Sequence, residues 1–444
     1  MAKLSAPSGF RDFLPDECRK RAELMRRIRT VYESFGFEPI ETPIMENLSV
    51  FLGKGGGENE KLMFRVLKRG ADLGRALEKK DELADMGMRF DLTVPLARYF
   101  ATHRAELPNV FKRYHIGPVY RAERAQHGRF REFIQCDVDV LGSESMMVEA
   151  EVLHATATAL SKLGFTGLKV RLNSRPLLSH LVKTAGVSDE LSGAAVTCID
   201  KLDKETREKV QAEMQEKGIP ADAATALLDL HASLLSLDSA GRVAEIEKRL
   251  GADISLLKPV QEVLALTPKL PSGELLFDPF LARGMDYYTG PVFEIAAEGV
   301  PFSLAGGGRY DELIGKLSGA KVPACGFSIG FERVYTLMCE RNMFEASSRA
   351  ADVLLVCRGI ENEGKTLLEL AETLRVGGVS ADVFPGAKKL PQQFEYATKK
   401  KITYAILSVD GEGADGQWEI RNIVSREQAK MPRAELAGWL KSKL

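Results

Sequence analysis

Arg121, Arg283 and Arg333 come from three segments far apart in the chain, and aromatic residues interleave them at Phe133, Tyr287, Tyr288 and Tyr310. Asp91 and Asp139 add carboxylates on segments that read as strands. Separated cations suit a polyphosphate, because guanidinium forks meet phosphate oxygens in pairs. Facing carboxylates suit an amine or an imidazole, and an aromatic ring suits stacking on adenine. No serine, cysteine or histidine sits in a recognisable nucleophile elbow. The residue types therefore favour electrostatic stabilisation of phosphoryl chemistry over covalent catalysis.

The densest of these segments is Leu281-Ala282-Arg283-Gly284-Met285-Asp286-Tyr287-Tyr288-Thr289-Gly290, which runs into the strand-like Pro291–Ile295. Neighbouring strand residues point to opposite faces, so Tyr287 and Tyr288 cannot form an ordinary apolar pair on a regular strand. Gly284 and Gly290 suit a tight backbone or close approach by a ligand. A pocket wall with a fixed positive charge and a surface turn between strands both fit the segment by itself.

The elements that must position these residues follow from periodicity. Asp16 to Phe35 reads as an amphipathic helix, with Leu24, Ile28, Val31 and Phe35 at helical steps and Gly36 as its stop. Phe37–Pro43 is extended and carries two prolines, which confines it to an edge or an interface. Gly53-Lys54-Gly55-Gly56-Gly57 lacks the Gly-Lys-Ser/Thr ending of a phosphate loop and reads as a mobile loop, with 58–88 a flexible hairpin or lid. Arg89–Pro95 reads as a short strand that puts Asp91 and Thr93 on one side, followed by a helix from Leu96.

Val110–Arg121, interrupted at Gly117-Pro118, and Phe133–Leu141 form an antiparallel hairpin. Arg121 and Glu123 share a face of the outgoing arm. On the return arm Gln135, Asp137 and Asp139 share one face, and Ile134, Cys136, Val138 and Val140 share the other. A core strand whose second face bears two carboxylates predicts a polar cavity floored by a sheet. Unpaired charges there would cost several kcal/mol each, so they need partners or a charged ligand.

A helix over 144–163 and a strand over 168–172 follow. Residues 174–256 turn leucine-, alanine- and charge-rich at helical spacing and predict an inserted helical module. Its Lys201, Lys204, Arg207 and Lys209 read as a solvated helix face, with an RNA contact as the lesser reading. The sheet resumes at Glu274–Asp278 and at Phe302–Leu304. Gly306-Gly307-Gly308 then lets backbone approach a ligand, and Cys325–Val334 passes from strand to a helix whose first turn carries Arg333. There Arg333 suits a phosphate or an ion pair with Glu332. After Arg349 strands and helices alternate (351–357, 361–376, 379–384, 390–400, 403–409, 418–424, and a last helix from Ser425), which predicts a separate α/β domain.

Composition sets bounds on all this. The 444 residues suggest two or three domains. With a net charge of −1, any nucleic acid must be met by local patches. The six cysteines are scattered, which argues against zinc or a disulfide framework and fits a reducing, cytoplasmic setting. No apolar run approaches a membrane span of ~20 residues.

Over essentially its whole length the chain resembles the histidyl-tRNA synthetases, class II aminoacyl-tRNA synthetases. Phe37–Pro43 resembles the first class motif, at the family's dimer interface. Val119-Tyr120-Arg121-Ala122-Glu123 through Gly128-Arg129-Phe130-Arg131-Glu132-Phe133 resembles the second, and Gly326–Arg333 the third. Arg283–Tyr288 and Ala305–Asp311 resemble two signatures particular to the histidine enzymes. The resemblance implies an α+β fold: an antiparallel-sheet catalytic domain over 1–340, a helical insertion over 174–256 within it, and an α/β anticodon-binding domain over 351–444. It implies ATP-dependent ligation of L-histidine to tRNA(His) through histidyl-adenylate, by a cytoplasmic homodimer using Mg²⁺ with no dedicated protein metal site.

Roles implied by the resemblance fall on matching positions. Arg121 would hold the ATP α-phosphate and the histidine carboxylate, Glu123 and Phe133 would meet adenine, and Arg333 would grip the γ-phosphate. Arg129 and Tyr310 would complete the ATP site. Arg283 would be the catalytic cation. Asp91 and Thr93 would take the amino group, and Gln135, Asp139, Tyr287 and Tyr288 would frame histidine. Gln126 would approach the tRNA acceptor end. Asp91 and Asp139 stand where many bacterial members carry glutamate, and Met285 replaces a usual leucine; Asp91–Pro95 resembles the eukaryotic-type branch. A catalytically silent paralogue, acting as a regulatory subunit of histidine biosynthesis, is the strongest alternative, and a plain RNA-binding module is a third reading, of a different class.

Overall fold

The computed structural model describes residues 4–52, 62–124, 130–202, 205–282, 287–344, 349–359, 363–408 and 416–444. Two compact units divide the chain. One contains Arg21–Met343 with the residues up to Phe13, and the other Leu14–Lys20 with Phe344–Leu444.

The larger unit is built on an eight-stranded sheet: β1 (Glu38–Pro39), β2 (Phe111–Tyr120), β3 (Glu132–Leu141), β4 (Leu168–Ser174), β5 (Gly273–Phe277), β6 (Pro291–Ala296), β7 (Ala305–Arg309) and β8 (Ala324–Gly330). Their spatial order is β1-β2-β3-β8-β7-β6-β4-β5. The six inner strands are antiparallel, and each edge strand pairs parallel to its neighbour. One face is apolar: Val138 of β3, Phe327 of β8 and Tyr114 of β2 are all buried. Helices α1 (Pro15–Ser34) and α3 (Met147–Lys162) pack there, with the Tyr32 and Tyr114 rings 6.2 Å apart. Glu149 of α3 is paired with Arg309 of β7 beneath the sheet.

The other face carries Gln135, Asp137 and Asp139 of β3 beside Gly326 and Ser328 of β8, with Gly306 and Gly308 of β7 next in register. Two helices border it: α2 (Thr93–His103), and α4 (Phe331–Glu340), which continues directly from β8.

Several elements differ from the sequence expectation. Helix α2 begins at Thr93, so Asp91 and Thr93 are not strand residues. Pro95 sits in the first turn, where a helix needs no N–H partner, and the Val94 N–H donates to Asp91 Oδ1 at 3.1 Å. Gly306-Gly307-Gly308 lies inside β7, where pairing on both sides overrides glycine's poor strand propensity. β2 runs unbroken through Gly117-Pro118. Within 62–88 the chain forms strands Arg65–Leu67 and Ala84–Met88, paired in a small sheet with Met45–Asn47, and a helix over Gly70–Lys79. Residues 53–61, including the whole glycine-rich loop, lie outside the described residues.

Between β4 and β5 the chain is helical, from Arg175–Thr184 through Asp189–Ile199, Arg207–Glu216, Ala221–Leu235 and Ser239–Leu250 to Lys258–Leu266. Lys201 pairs there with Glu213, Arg207 with Asp229 and Lys209 with Glu205.

The smaller unit has a five-stranded sheet in the order 381–383, 353–355, 404–408, 417–422, 428–432, with its first three strands parallel. Val353, Leu367, Ile406, Trp418 and Leu436 share its core. Its last helix is Arg433–Lys443, not a run from Ser425. Arg426 turns the chain at φ 65° and sends 428–432 back as a strand. Among the described residues no helix is long and apolar enough to cross a membrane.

Candidate active site

The polar face of the sheet opens into two joined cavities. The inner one, about 240 Å³, is walled by Asp91, Thr93, Gln135, Asp137, Asp139, Tyr287, Tyr288 and Tyr310. Glycines give it its depth. A Cβ at Gly326 would stand 1.8 Å from Asp139 Oδ1, and one at Gly308 would stand 3.0 Å from the Tyr288 ring. Tyr287 and Tyr288 precede β6 in a turn, their rings 4.9 Å apart, and this bend is how adjacent residues reach one cavity.

Charge in the inner cavity is mostly negative. Arg113 of β2 is fully buried, and its guanidinium lies 2.7 Å from Asp139 Oδ2. Tyr310 donates its hydroxyl to Asp139 Oδ1. Ser328 hydrogen-bonds Asp137. Burial pushes Asp91 up to about 6, against the Val94 N–H and the nearby Arg121 and Arg113. Burial also raises Asp137 and Asp139, with Arg113 opposing it in both. His115, opposite Asp137 on β2, is pushed down to about 3 by burial and by Arg113 and Arg89, and stays neutral. Burial lifts the Tyr287 and Tyr310 hydroxyls well above their ordinary range. The cavity thus offers several hydrogen-bond acceptors left over: Asp91 Oδ2, Gln135 Oε1 and Asp137 Oδ1 have no partner in the protein.

The outer cleft, about 360 Å³, is lined by Arg121, Glu123, Phe130, Phe133 and the β8–α4 junction through Arg333. Arg121 lines both spaces. Its Nε donates to the Phe90 carbonyl at 3.1 Å, and its guanidinium lies 5.0 Å from the Phe133 ring centre. Arg333 donates to the Ser303 carbonyl at 3.0 Å beside the Phe302 ring. Glu332 does not pair with Arg333. Its carboxylate is held by Arg21 at 2.8 Å and by Arg11 at 2.6 Å, and it accepts the Ile134 N–H at 3.4 Å. Burial opposes ionisation of Glu332, yet the two arginines keep its carboxyl below the usual range. Arg11 also stacks 3.3 Å from the Phe130 ring centre.

Of the residues singled out from the sequence, Asp91, Thr93, Gln135, Asp139, Tyr287, Tyr288 and Tyr310 meet in the inner cavity and Glu123, Phe133 and Arg333 in the outer, with Arg121 between. Tyr310 therefore stands with the carboxylates and not at the outer cleft. Arg283, Gln126 and Arg129 lie outside the described residues. Sequence reasoning passed over Arg113, Ser328 and the Arg11–Glu332–Arg21 brace. It placed Asp137 on the cavity face with Gln135 and Asp139 but gave it no role, and the structure brings it to the inner cavity.

Comparison with known proteins shows which family the chain is similar to. Residues 9–334 match the family model for histidyl-tRNA synthetase, and 352–443 that for an anticodon binding domain. The histidine–tRNA ligase of Leifsonia xyli subsp. xyli is 46% identical over 347 residues, covering 76% of this chain and 80% of its own. That of Christiangramia forsetii is 36% identical over 455 residues, covering 99% of both chains. Among solved structures, histidyl-tRNA synthetase from Nostoc sp. PCC 7120 superposes over 100% of both chains with a TM-score of 0.82 at 28% identity. An ATP phosphoribosyltransferase regulatory subunit/histidyl-tRNA synthetase from Bacillus halodurans C shares the fold, with a TM-score of 0.71 at 20% identity over 88% of this chain and 96% of its own. With a matched model spanning most of its length and a relative aligned from end to end, the chain belongs to the histidyl-tRNA synthetase family.

Proposed function

We infer that the protein ligates L-histidine to tRNA(His), driven by ATP, through a histidyl-adenylate. The observation that carries this is the pairing of an inner cavity of unpartnered acceptors with an outer cleft bearing Arg333, joined at Arg121. Acceptors without donors call for a ligand rich in N–H groups and positive charge. An amino acid with a free amino group and an imidazole meets that demand, and its carboxylate then points toward Arg121.

In the first step a histidine carboxylate oxygen attacks the α-phosphorus of ATP. The new O–P bond forms as the bond to the β-phosphate oxygen breaks, and pyrophosphate leaves. Arg121 would hold the α-phosphate and the carboxylate together, and Arg283 would stabilise the charge that builds on phosphorus. Arg333 and Arg129 would hold the phosphate tail, with Glu123 and Phe133 at adenine. Asp91 and Thr93 would take the amino group, and Gln135, Asp139, Tyr287 and Tyr288 would frame the side chain, with Tyr310 backing Asp139. In the second step a ribose hydroxyl of the tRNA end, near Gln126, attacks the adenylate carbonyl and releases AMP.

Mg²⁺ would arrive as a counter-ion of ATP. Among the described residues no group of three His, Cys, Asp or Glu side chains could hold a metal. Arg11 and Arg21 occupy Glu332, the carboxylate in the first turn of α4. The ion supplies neutralisation of phosphate charge.

Residues 1–340 would form the catalytic domain, 174–256 its helical insertion and 351–444 the anticodon-binding domain. The match over 352–443 supports this reading. A cytoplasmic homodimer joined at Phe37–Pro43 completes it, supported by the short, proline-bearing edge strand there. The test is ATP–pyrophosphate exchange with each amino acid in turn. Exchange with histidine alone is expected. A folded sample that exchanges with none is the silent paralogue instead.

A further inference from the structure

Tyrosines wall the inner cavity from two neighbouring turns: Tyr287 and Tyr288 ahead of β6, and Tyr310 just after β7. The Tyr287 ring lies 5.9 Å from that of Tyr310. The turns are joined through Arg309, Asp311 and Thr289, which stand in the wall of neither cavity. The Thr289 N–H donates to the Arg309 carbonyl at 2.8 Å, and the Asp311 N–H donates to Thr289 Oγ1 at 3.0 Å. Alternation along β7 turns the Arg309 side chain toward α3, away from the cavity. There it is 4% exposed, and its fork spreads over the Glu149 carboxylate of α3, Asp311 Oδ1 at 3.1 Å and the Ser143 carbonyl at 3.3 Å. Asp311 Oδ1 also accepts the Ala324 N–H of β8 at 3.0 Å. Gly290 leaves room for this packing, since a Cβ there would stand 3.0 Å from Arg309 Cδ. Glu149 is fully buried, so its charge has to be met, and a single guanidinium meets it while holding Asp311.

We propose that Arg309 is a positioning residue of the histidine site: anchored on Glu149, it fixes Asp311 and, through the Asp311–Thr289 clamp, the placing of Tyr287, Tyr288 and Tyr310. This rests on the histidine-activating reading given above. Arg309 itself touches no substrate. A cavity walled by three aromatic rings keeps its shape only while the turns that carry them stay in register. The outer cleft draws its wall from β3, β8, α4 and residues 303–306, and from neither turn, so the site for ATP does not depend on the clamp.

The experiment uses two variants of the full chain. Arg309→Lys keeps the charge that Glu149 needs, but one ammonium cannot span Glu149, Asp311 and Ser143. Thr289→Val keeps the side-chain shape and removes the hydroxyl that takes the Asp311 N–H. In both variants, hydrogen exchange read by mass spectrometry is expected to speed at least about tenfold in peptides covering 287–292 and 310–313, with the β2–β3 hairpin unchanged. In pyrophosphate exchange the histidine KM rises at least about fivefold and the ATP KM stays within about twofold. Thr289→Ser returns both readouts to within about twofold of wild type, since it restores the acceptor. The double variant adds less than about twofold to the stronger single one, because both act through one clamp. Unchanged hydrogen exchange in both peptides overturns the proposal. So does a fall in kcat with the histidine KM unmoved, which is the mark of a protein that is only less stable. A wild type that exchanges pyrophosphate with no amino acid refutes the functional reading, and the hydrogen-exchange arm then still decides whether Arg309 holds the tyrosines.

Discussion

Asp91 combines a capping bond to the Val94 N–H with an unpartnered Oδ2 turned to the inner cavity, and burial lifts its pKa from 3.8 to about 6. The folded protein without ligand therefore keeps a proton that the unfolded chain has released. Stability falls as pH rises from about 4 to about 6 and is constant in this respect above it. A shift of that size corresponds to about 3 kcal/mol. An ammonium bound at Asp91, as proposed, would reverse the balance by favouring the carboxylate, and histidine would then bind more tightly once Asp91 ionises. The expected outcome is a larger histidine-induced rise in melting temperature at about pH 7.5 than at about pH 5.5. Histidine's own imidazole titrates in the same window, so the share due to Asp91 is what Asp91→Asn removes. Equal pH dependence in both proteins would count against an ammonium at Asp91.

At the level of elements, the outer cleft depends on how α4 is held. Glu332, in its first turn, ties the helix to Arg21 of α1, to Arg11 of the N-terminal segment and to the Ile134 N–H of β3. Arg11 also stacks on Phe130, and Arg131 donates its backbone N–H to the Gly9 carbonyl at 2.9 Å. Removing one partner from a buried ion pair leaves charge uncompensated, at a cost of about 3 kcal/mol or more. Arg21→Met is expected to lower stability by about that amount in urea unfolding. It should also raise the ATP KM several-fold more than the histidine KM, because Arg333 shares the helix turn with Glu332. Equal changes in both constants would mean a general loss of stability. Much at this scale was legible beforehand. The alternation of β3 exposed the cavity floor, and the spacing of Leu24, Ile28 and Val31 exposed α1. Pairing across long sequence distance was not legible. Nothing local tells that Glu332 will find Arg21, or that three glycines will be held as a strand by neighbours on both sides. The start of α2 was misread because Asp91-Leu92-Thr93 alternates like a strand, while Pro95 in the first turn and the Asp91 cap pointed to a helix.

For the whole molecule, the two units give the two chemical steps different requirements. The inner cavity, Arg121 and the outer cleft all belong to residues before Met343. The second unit has its own sheet and its own core around Trp418. Adenylate formation uses only small substrates and should need only the first unit. Transfer to tRNA also needs the nucleic acid held in register, and a chain with net charge −1 has no global field to supply that. The burden falls on local contacts, with residues 352–443 matching an anticodon binding domain. A chain ending at Met343 is therefore expected to keep histidine-dependent pyrophosphate exchange within about tenfold while kcat/KM for tRNA charging falls at least about a hundredfold, a loss of about 3 kcal/mol in transition-state stabilisation. Residues 14–20 cluster with the second unit, so the shortened chain also uncovers the start of α1. Circular dichroism and a melting curve on the same sample separate that effect from a loss of tRNA contacts. A well-folded truncation that charges tRNA at the full rate would place the binding determinants in the larger unit instead, with the helices between β4 and β5 as the next segment to substitute.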